Sequence, residues 1–259
     1  MISIDFHVHS WISKDSSIVD SKLIISILKR KGLSGFSLTD HNQWSAIPDF
    51  RRLCKQHGVL FIPGCEIQTR DPKLGEILIF FSEEPLKSRN YLELCDEARS
   101  AGCLVFLSHP FDLIRQNWVE KKRKHRKPLF LDPNFRTKIT GLEGINARNL
   151  ILSSNQYALQ WTSHFGLSAT GGSDAHSAIE IGEAFTIFNL QQTVEKNASN
   201  EHILEEIRRL LKQGNCEPSR FLKNHTIIHL FNIVKKYMSG LTQTTDLVKQ
   251  PLMQFGRKF

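Results

Sequence analysis

Near the start of the chain Asp5, His7 and His9 occupy every second position, and imidazole mixed with carboxylate is a donor set that divalent transition metals accept. The run Met1 to Ser10 alternates Ile2, Ile4, Phe6 and Val8 with Ser3, Asp5, His7 and His9, which is the period of a strand whose faces differ. An edge strand has little use for two imidazoles and a carboxylate on its wet face, whereas a metal site at the mouth of a barrel needs them at this spacing. Metal-prone side chains then recur along the chain, at His41, Glu66, His109, Asn146, Asp174 and His176. Singly, each is more often structural than catalytic; in series, they are not independent accidents. His57, His125, His164, His202, His225 and His229 fit no such pattern and read as surface or packing residues.

The elements that must position these groups alternate. After the first strand, Asp20 is placed to cap a helix carrying Leu23, Ile24, Ile27 and Leu28 on one face, and Gly32 ends it. Strands are predicted at Gly35 to Leu38, Val59 to Ile62, Ile77 to Phe81, Cys103 to Leu107, Leu142 to Asn146, Leu167 to Thr170 and Ala184 to Phe188. Helices are predicted near 47–57, 91–101, 156–165 and 201–212. Residues 111–140 are less regular and read as a long insertion on the loop face. A last amphipathic helix carries Ile227, Leu230, Phe231, Val234 and Met238, and the tail from Thr242 has no clear period. The expected organisation is a barrel domain over 1–219 with its own extension, followed by 220–259 packed on it.

Alternating β and α units predict parallel strands with crossover helices, in a barrel or a doubly wound sheet. The candidate ligands choose between them. His9, His41, Glu66, His109, Asn146 and Asp174 each follow a separate predicted strand, and barrels gather functional groups from the C-terminal ends of many strands.

The chain has 259 residues, 40% of them hydrophobic, enough for one large core. No signal-like or membrane-spanning stretch stands out, so a soluble, cytoplasmic protein without a membrane partner is expected. Five cysteines without C-x-x-C spacing are read as reduced core thiols. The net charge is +8, and part of the excess lies in Lys121-Lys122-Arg123-Lys124-His125-Arg126-Lys127, either an ordinary solvated loop or a nucleic-acid contact.

The ordered pieces Asp5-Phe6-His7-Val8-His9-Ser10, Ser13-Lys14-Asp15-Ser16, Leu38-Thr39-Asp40-His41-Asn42, Pro63-Gly64-Cys65-Glu66-Ile67, Leu107-Ser108-His109-Pro110, Gly144-Ile145-Asn146-Ala147-Arg148 and Gly172-Ser173-Asp174-Ala175-His176 resemble the polymerase and histidinol phosphatase (PHP) domain of metal-dependent phosphoesterases. The resemblance implies a distorted (β/α)7 barrel with two or three metal ions at the C-terminal ends of the strands, and the mix of imidazole with carboxylate favours zinc, manganese or iron over magnesium. It implies one ion on His7, His9, Glu66 and Asp174, a second bridged by Glu66 and held by His109, and a third on Asp15, His41 and His176. Where many histidinol phosphatases of the family have a histidine, this chain has Asn146, which leaves the second ion fewer protein ligands or binds substrate instead.

The implied activity is hydrolysis of phosphate esters by a metal-activated water, on a phosphorylated small molecule or a nucleic-acid end. Arg148 is the candidate clamp on the phosphate, His109 or His176 the candidate proton donor, and Asp5 and Asp40 the candidate orienters of the histidines. The alternatives are a non-catalytic nucleic-acid-binding subunit on the same barrel and histidinol-phosphate phosphatase itself.

Overall fold

The computed structural model describes residues 1–18, 20–70, 75–112, 118–122, 125–190 and 198–221. In chain order the elements are β1 (Ile2–Val8), α1 (Ser21–Arg30), β2 (Gly35–Leu38), α2 (Ile47–His57), β3 (Leu60–Gln68), β4 (Glu76–Phe80), α3 (Tyr91–Ser100), β5 (Leu104–Leu107), β6 (Val119–Lys122), β7 (His125–Pro128), a 3-10 turn (Leu129–Leu131), α4 (Pro133–Arg136), β8 (Gly141–Asn146), α5 (Leu152–Phe165), β9 (Ser168–Gly172), β10 (Ala184–Phe188), α6 (Asn200–Gln213) and β11 (Glu217–Arg220). The expected final helix and tail lie outside the described residues. Among those described, no helix is long and apolar enough to cross a membrane.

Local signals explain most of these boundaries. The Asp20 carboxylate accepts from Lys22 N at 2.8 Å and starts α1, and Lys29 and Arg30 sit where the helix dipole favours cations. Gly58 ends α2 in the left-handed conformation (φ 64°), which costs glycine nothing.

The main sheet runs β11-β10-β1-β2-β3-β4-β5-β8-β9. Its seven strands from β1 to β9 curl into a distorted (β/α)7 barrel. At the mouth, β1 meets the chain leaving β9: Ala175 N donates to the His7 carbonyl at 3.3 Å and His9 N to the Ala175 carbonyl at 3.1 Å. At the other end β10 pairs antiparallel with Ile2–Ile4 of β1, and the Thr186 hydroxyl accepts from Gly171 N of β9.

The expectation of parallel strands throughout is corrected at β4, which is antiparallel to both β3 and β5. Residues 69–75 are too few for a crossover helix, which takes roughly a dozen residues, so the chain must return as a hairpin. β3 also runs further than predicted, so Glu66 lies within a strand. The insertion after β5 is more structured than its composition suggested: β6 and β7 form a hairpin, and Trp118, Phe130 and Phe135 around it are buried.

Two apolar layers hold the barrel. Ile4, Phe6, Leu60, Ile62, Leu78, Phe80, Leu104, Phe106 and Phe188 fill its interior, with Phe6 and Phe80 edge to face at 5.0 Å. Outside, residues such as Ile24, Leu28, Phe36, Phe50 and Phe61 seal the helices to the strands, and Cys54, Cys65, Cys95 and Cys103 are buried with them. The interior plug leaves one end of the lumen to polar groups.

Candidate metal centre

Bulges aim the first candidate ligands. Ile4 and Phe6 belong to the barrel interior, yet Val8 packs in the outer layer, because the β1–β2 register shifts between Asp5 and Val8. Without that irregularity the period of two would turn His7 away from the lumen; with it, His7 and His9 both reach the mouth. A second register shift, between Glu143 and Ile145 of β8, lets Glu143 and Asn146 serve the same site.

The donor atoms of four buried residues converge. His7 Nε2 lies 3.2 Å from Glu66 Oε2 and 3.7 Å from Asp174 Oδ1; His9 Nε2 lies 3.4 and 3.6 Å from the same two oxygens. The two Nε2 atoms are 3.0 Å apart. His7 Nδ1 faces Glu143 Oε1 at 2.9 Å. His9 Nδ1 faces Ser13 Oγ at 3.1 Å, while that hydroxyl donates to Asp40 at 2.8 Å. A carboxylate and a hydroxyl whose own proton is committed both accept, so each ring carries its proton on Nδ1 and turns the Nε2 lone pair inward. Two lone pairs and two carboxylate oxygens then face one another, an arrangement that only cations, whether protons or a metal ion, can satisfy. The donor set therefore fits a divalent metal.

A second group lies nearer solvent. His41 Nε2 and His176 Nε2 lie 3.7 and 3.3 Å from Asp15 Oδ2, so the first loop does bring Asp15 to the site. The side chains of Asp15 and His41 are 28% and 26% exposed, against 1% for Glu66. Metal-compatible clusters among the described residues are His7 with His9 and Glu66, His9 with His41 and His176, and His41 with Glu66 and Glu76. His109 Nε2 is 3.5 Å from Glu66 Oε1, whose position is held by a hydrogen bond from the Ser108 hydroxyl at 2.5 Å.

Arg148 stands at the rim, its Nη1 2.8 Å from His176 Nδ1 and 3.5 Å from Asp174 Oδ1. The Asn146 amide nitrogen donates to Glu143 and Asp174 at 3.0 and 3.1 Å, and its oxygen accepts from Arg148 N at 2.9 Å. His109 (φ 26°) and Asp174 (φ 54°) sit in the left-handed region, a strain that persists only where surroundings enforce it. Glu143 Oε2 accepts from His109 N at 2.8 Å and supplies part of that enforcement.

The electrostatics match the geometry. Burial alone would raise Glu66, but in the metal-free protein positive charge on His7 and the nearby His109 and His9 rings hold it well below the usual carboxylate range. Burial opposes charge on His41, yet the neighbouring Asp15, Glu66 and Glu76 carboxylates raise it to about 9. His176 is lowered to about 4 by burial and by the charges of His9 and Arg148.

Some expectations are corrected or extended here. Asp5 does not orient a ring: its carboxylate accepts from Ser173 N, Ser173 Oγ, His7 N and Gly182 N, and so ties β1 to the loop after β9. Burial of that carboxylate raises it to about 6 against those four bonds. Asp40 does act on His9, through Ser13. The sequence does not mark Glu76 or Glu143: the parallel direction expected of its strand puts Glu76 at the far end of the barrel, and nothing in a period of two places Glu143 beside Asn146. Nor does it mark Glu180, which accepts from His176 N at 2.9 Å.

Comparison with known proteins agrees with this architecture. The model of the PHP-associated family matches residues 153–210. An uncharacterized protein of Methanocaldococcus jannaschii is 31% identical over 189 residues, 73% of this chain and 71% of its own length. A two-domain protein of Bacteroides vulgatus, described as containing a predicted PHP-like metal-dependent phosphoesterase, superposes with a TM-score of 0.66 at 22% identity. That match covers 85% of this chain, which spans only 64% of the Bacteroides protein. The lesion-specific endonuclease of Pyrococcus furiosus superposes with a TM-score of 0.54 at 19% identity, over 84% of this chain and 57% of its own. This chain belongs to the PHP-domain family, and its barrel is that of the PHP-like metal-dependent phosphoesterases.

Proposed function

We propose that the protein hydrolyses phosphate esters with the help of two or three zinc, manganese or iron ions. The observation that carries this reading is the convergence of the His7 and His9 Nε2 atoms, 3.0 Å apart, on Glu66 and Asp174 oxygens at 3.2 to 3.7 Å, all buried at the end of a barrel. One ion is assigned to those four residues, a second to Glu66 and His109, and a third to Asp15, His41 and His176. Ions held there would lower the pKa of a coordinated water toward neutrality and offset charge on the phosphate oxygens. Glu143 and Ser13 keep the His7 and His9 rings in the ligating tautomer. Arg148, with a side chain 14% exposed, is the proposed clamp on the phosphate, and Asn146 positions its backbone. His109 and His176 are the proposed proton donors to the leaving oxygen, a role either ring would fill only while its lone pair is not committed to an ion.

The substrate proposed is a nucleotide or the end of a nucleic acid. The hairpin of β6 and β7 pairs Lys121 with Arg126 and Lys122 with His125 along its backbone, which concentrates cationic residues on a single ribbon. That ribbon is rooted beside the ligands, because Trp118 N donates to the Pro110 carbonyl next to His109, and Trp118 Nε1 to the Glu76 carbonyl, both at 3.0 Å.

The test is to strip the protein with a chelator, reload it with manganese or zinc, and assay phosphate monoesters, nucleotides and short oligonucleotides. Hydrolysis that returns with the metal and is lost in Glu66→Ala is expected. A reloaded protein inert toward the whole panel would sink the reading.

A further inference from the structure

Glu76 differs from the other donors at the mouth, because it comes from the beginning of its strand. The antiparallel course of β4 brings its first residue, opposite Gln68 of β3, to the end of the barrel where the other strands finish. Its Oε2 lies 3.5 Å from His109 Nε2 and its Oε1 3.5 Å from His41 Nδ1. Those separations exceed the 2.7–3.2 Å usual for N–H···O hydrogen bonds. They are close to the spacing of about 3.3 Å between two donors that each lie about 2 Å from a single tetrahedral ion. Glu66 Oε1 stands at the same 3.5 Å from His109 Nε2, so two carboxylates flank one imidazole nitrogen.

The backbone beneath Glu76 is fixed. Its carbonyl accepts from Ser108 N and from Trp118 Nε1, both at 3.0 Å. Trp118 is fully buried against residue 75, where a Cβ would stand 2.4 Å from the indole nitrogen, so only glycine fits there. The side chain itself is 18% exposed and points its oxygens at two buried or half-buried histidines rather than at solvent. Asn146, at the position where the resemblance would have a histidine ligand, offers its NH2 to Glu143 and Asp174 while its oxygen accepts from Arg148 N. It turns a donor, not an acceptor, toward the site.

We infer that Glu76 is a metal ligand, completing with Glu66 and His109 the set for the second ion and taking the role that Asn146 does not fill. The inference rests on the metal-dependent reading above. A carboxylate in place of an imidazole makes that set more anionic and harder, which favours manganese or iron over zinc at this position.

The test counts metal. Protein stripped with a chelator and dialysed against manganese alone is analysed for bound metal as native chain, Glu76→Gln and Asn146→Ala. Glu76→Gln is expected to hold one equivalent fewer than the native chain, or to bind that equivalent at least tenfold more weakly, with Asn146→Ala matching the native count. Native protein that binds metal while Glu76→Gln binds the same number with the same affinity overturns this inference alone. Native protein that binds none overturns it together with the metal-dependent reading. If circular dichroism shows that Glu76→Gln does not fold, anomalous scattering from crystals of the metal-loaded native chain decides. An ion about 2.0–2.2 Å from a Glu76 oxygen is expected, and ions only elsewhere in the site reject the ligand.

Discussion

The floor of the site and its rim are built from the same residue types under opposite conditions. On the floor, His7, His9, Glu66 and Asp174 have side chains no more than 2% exposed, and each ring nitrogen not aimed at the centre has a fixed partner in Glu143 or Ser13. At the rim, Asp15 and His41 are more than a quarter exposed, and Asp15 belongs to a loop rather than a strand. Charge on the floor is expensive unless cancelled, so that pocket is preorganised for cations and should hold them tightly. The rim is screened by water, and an ion proposed there should exchange more readily and leave room for substrate. The difference teaches that burial, more than the identity of the donors, sets how strongly each group of side chains demands a cation.

The sharpest way to break this comparison is at the floor. On the proposed mechanism, Glu66→Ala or Asp174→Ala should lower kcat/KM by about a thousandfold or more, since several kcal/mol of transition-state stabilisation would pass through the ions these residues hold. Cys65→Ser, one residue from Glu66, should retain most activity, because a hydroxyl can also donate to the Asp40 carbonyl that the thiol meets at 3.2 Å. Equal losses at 65 and 66 would point to misfolding and remove the catalytic argument.

Next in size comes the support beneath the floor. Glu143→Gln keeps the shape but loses the charge that holds the His7 proton on Nδ1, and metal affinity should fall about 10–100-fold by calorimetric titration. Affinity equal to that of the native chain would show that the ring needs no such partner.

The rim should reveal itself through pH. In metal-free protein, His41 has a folded-state pKa raised from 6.5 to about 9, so its contribution to stability is complete below pH 6.5 and is lost as pH rises through 9. Thermal unfolding of chelated protein between pH 6 and 10 should show that decline, and His41→Gln should flatten it. Because a ligating imidazole must be neutral, loading metal at pH 7.5 should release protons, fewer in the His41→Gln protein. Identical release from both proteins would mean that His41 is not among the ligands.

The smallest effect is expected furthest out. Replacing Lys121 and Lys122 by alanine should weaken oligonucleotide binding and lessen its dependence on salt, while turnover of a mononucleotide stays nearly constant. Unchanged salt dependence would return the hairpin to ordinary solvated charge.

What the sequence determined by itself was local. The alternation in Ile2 to His9, the Asp20 cap, and the recurrence of His41, Glu66, His109 and Asp174 after apolar runs are written in near neighbours, because strand and helix periods are properties of consecutive residues. The ordered motifs reached further and brought in Asp15, which no period marks. Tertiary structure alone decided which end of a strand meets the mouth and where a period slips. Glu76 joined the site because β4 pairs antiparallel with β3, and His7 faces the lumen because β1 bulges against β2. Glu143 came beside His7, more than a hundred positions away, only because β9 approaches β1 at Gly172, where a Cβ would stand 2.4 Å from that of His7. Direction, register and close approach belong to pairs of strands distant along the chain, and neither member encodes them alone.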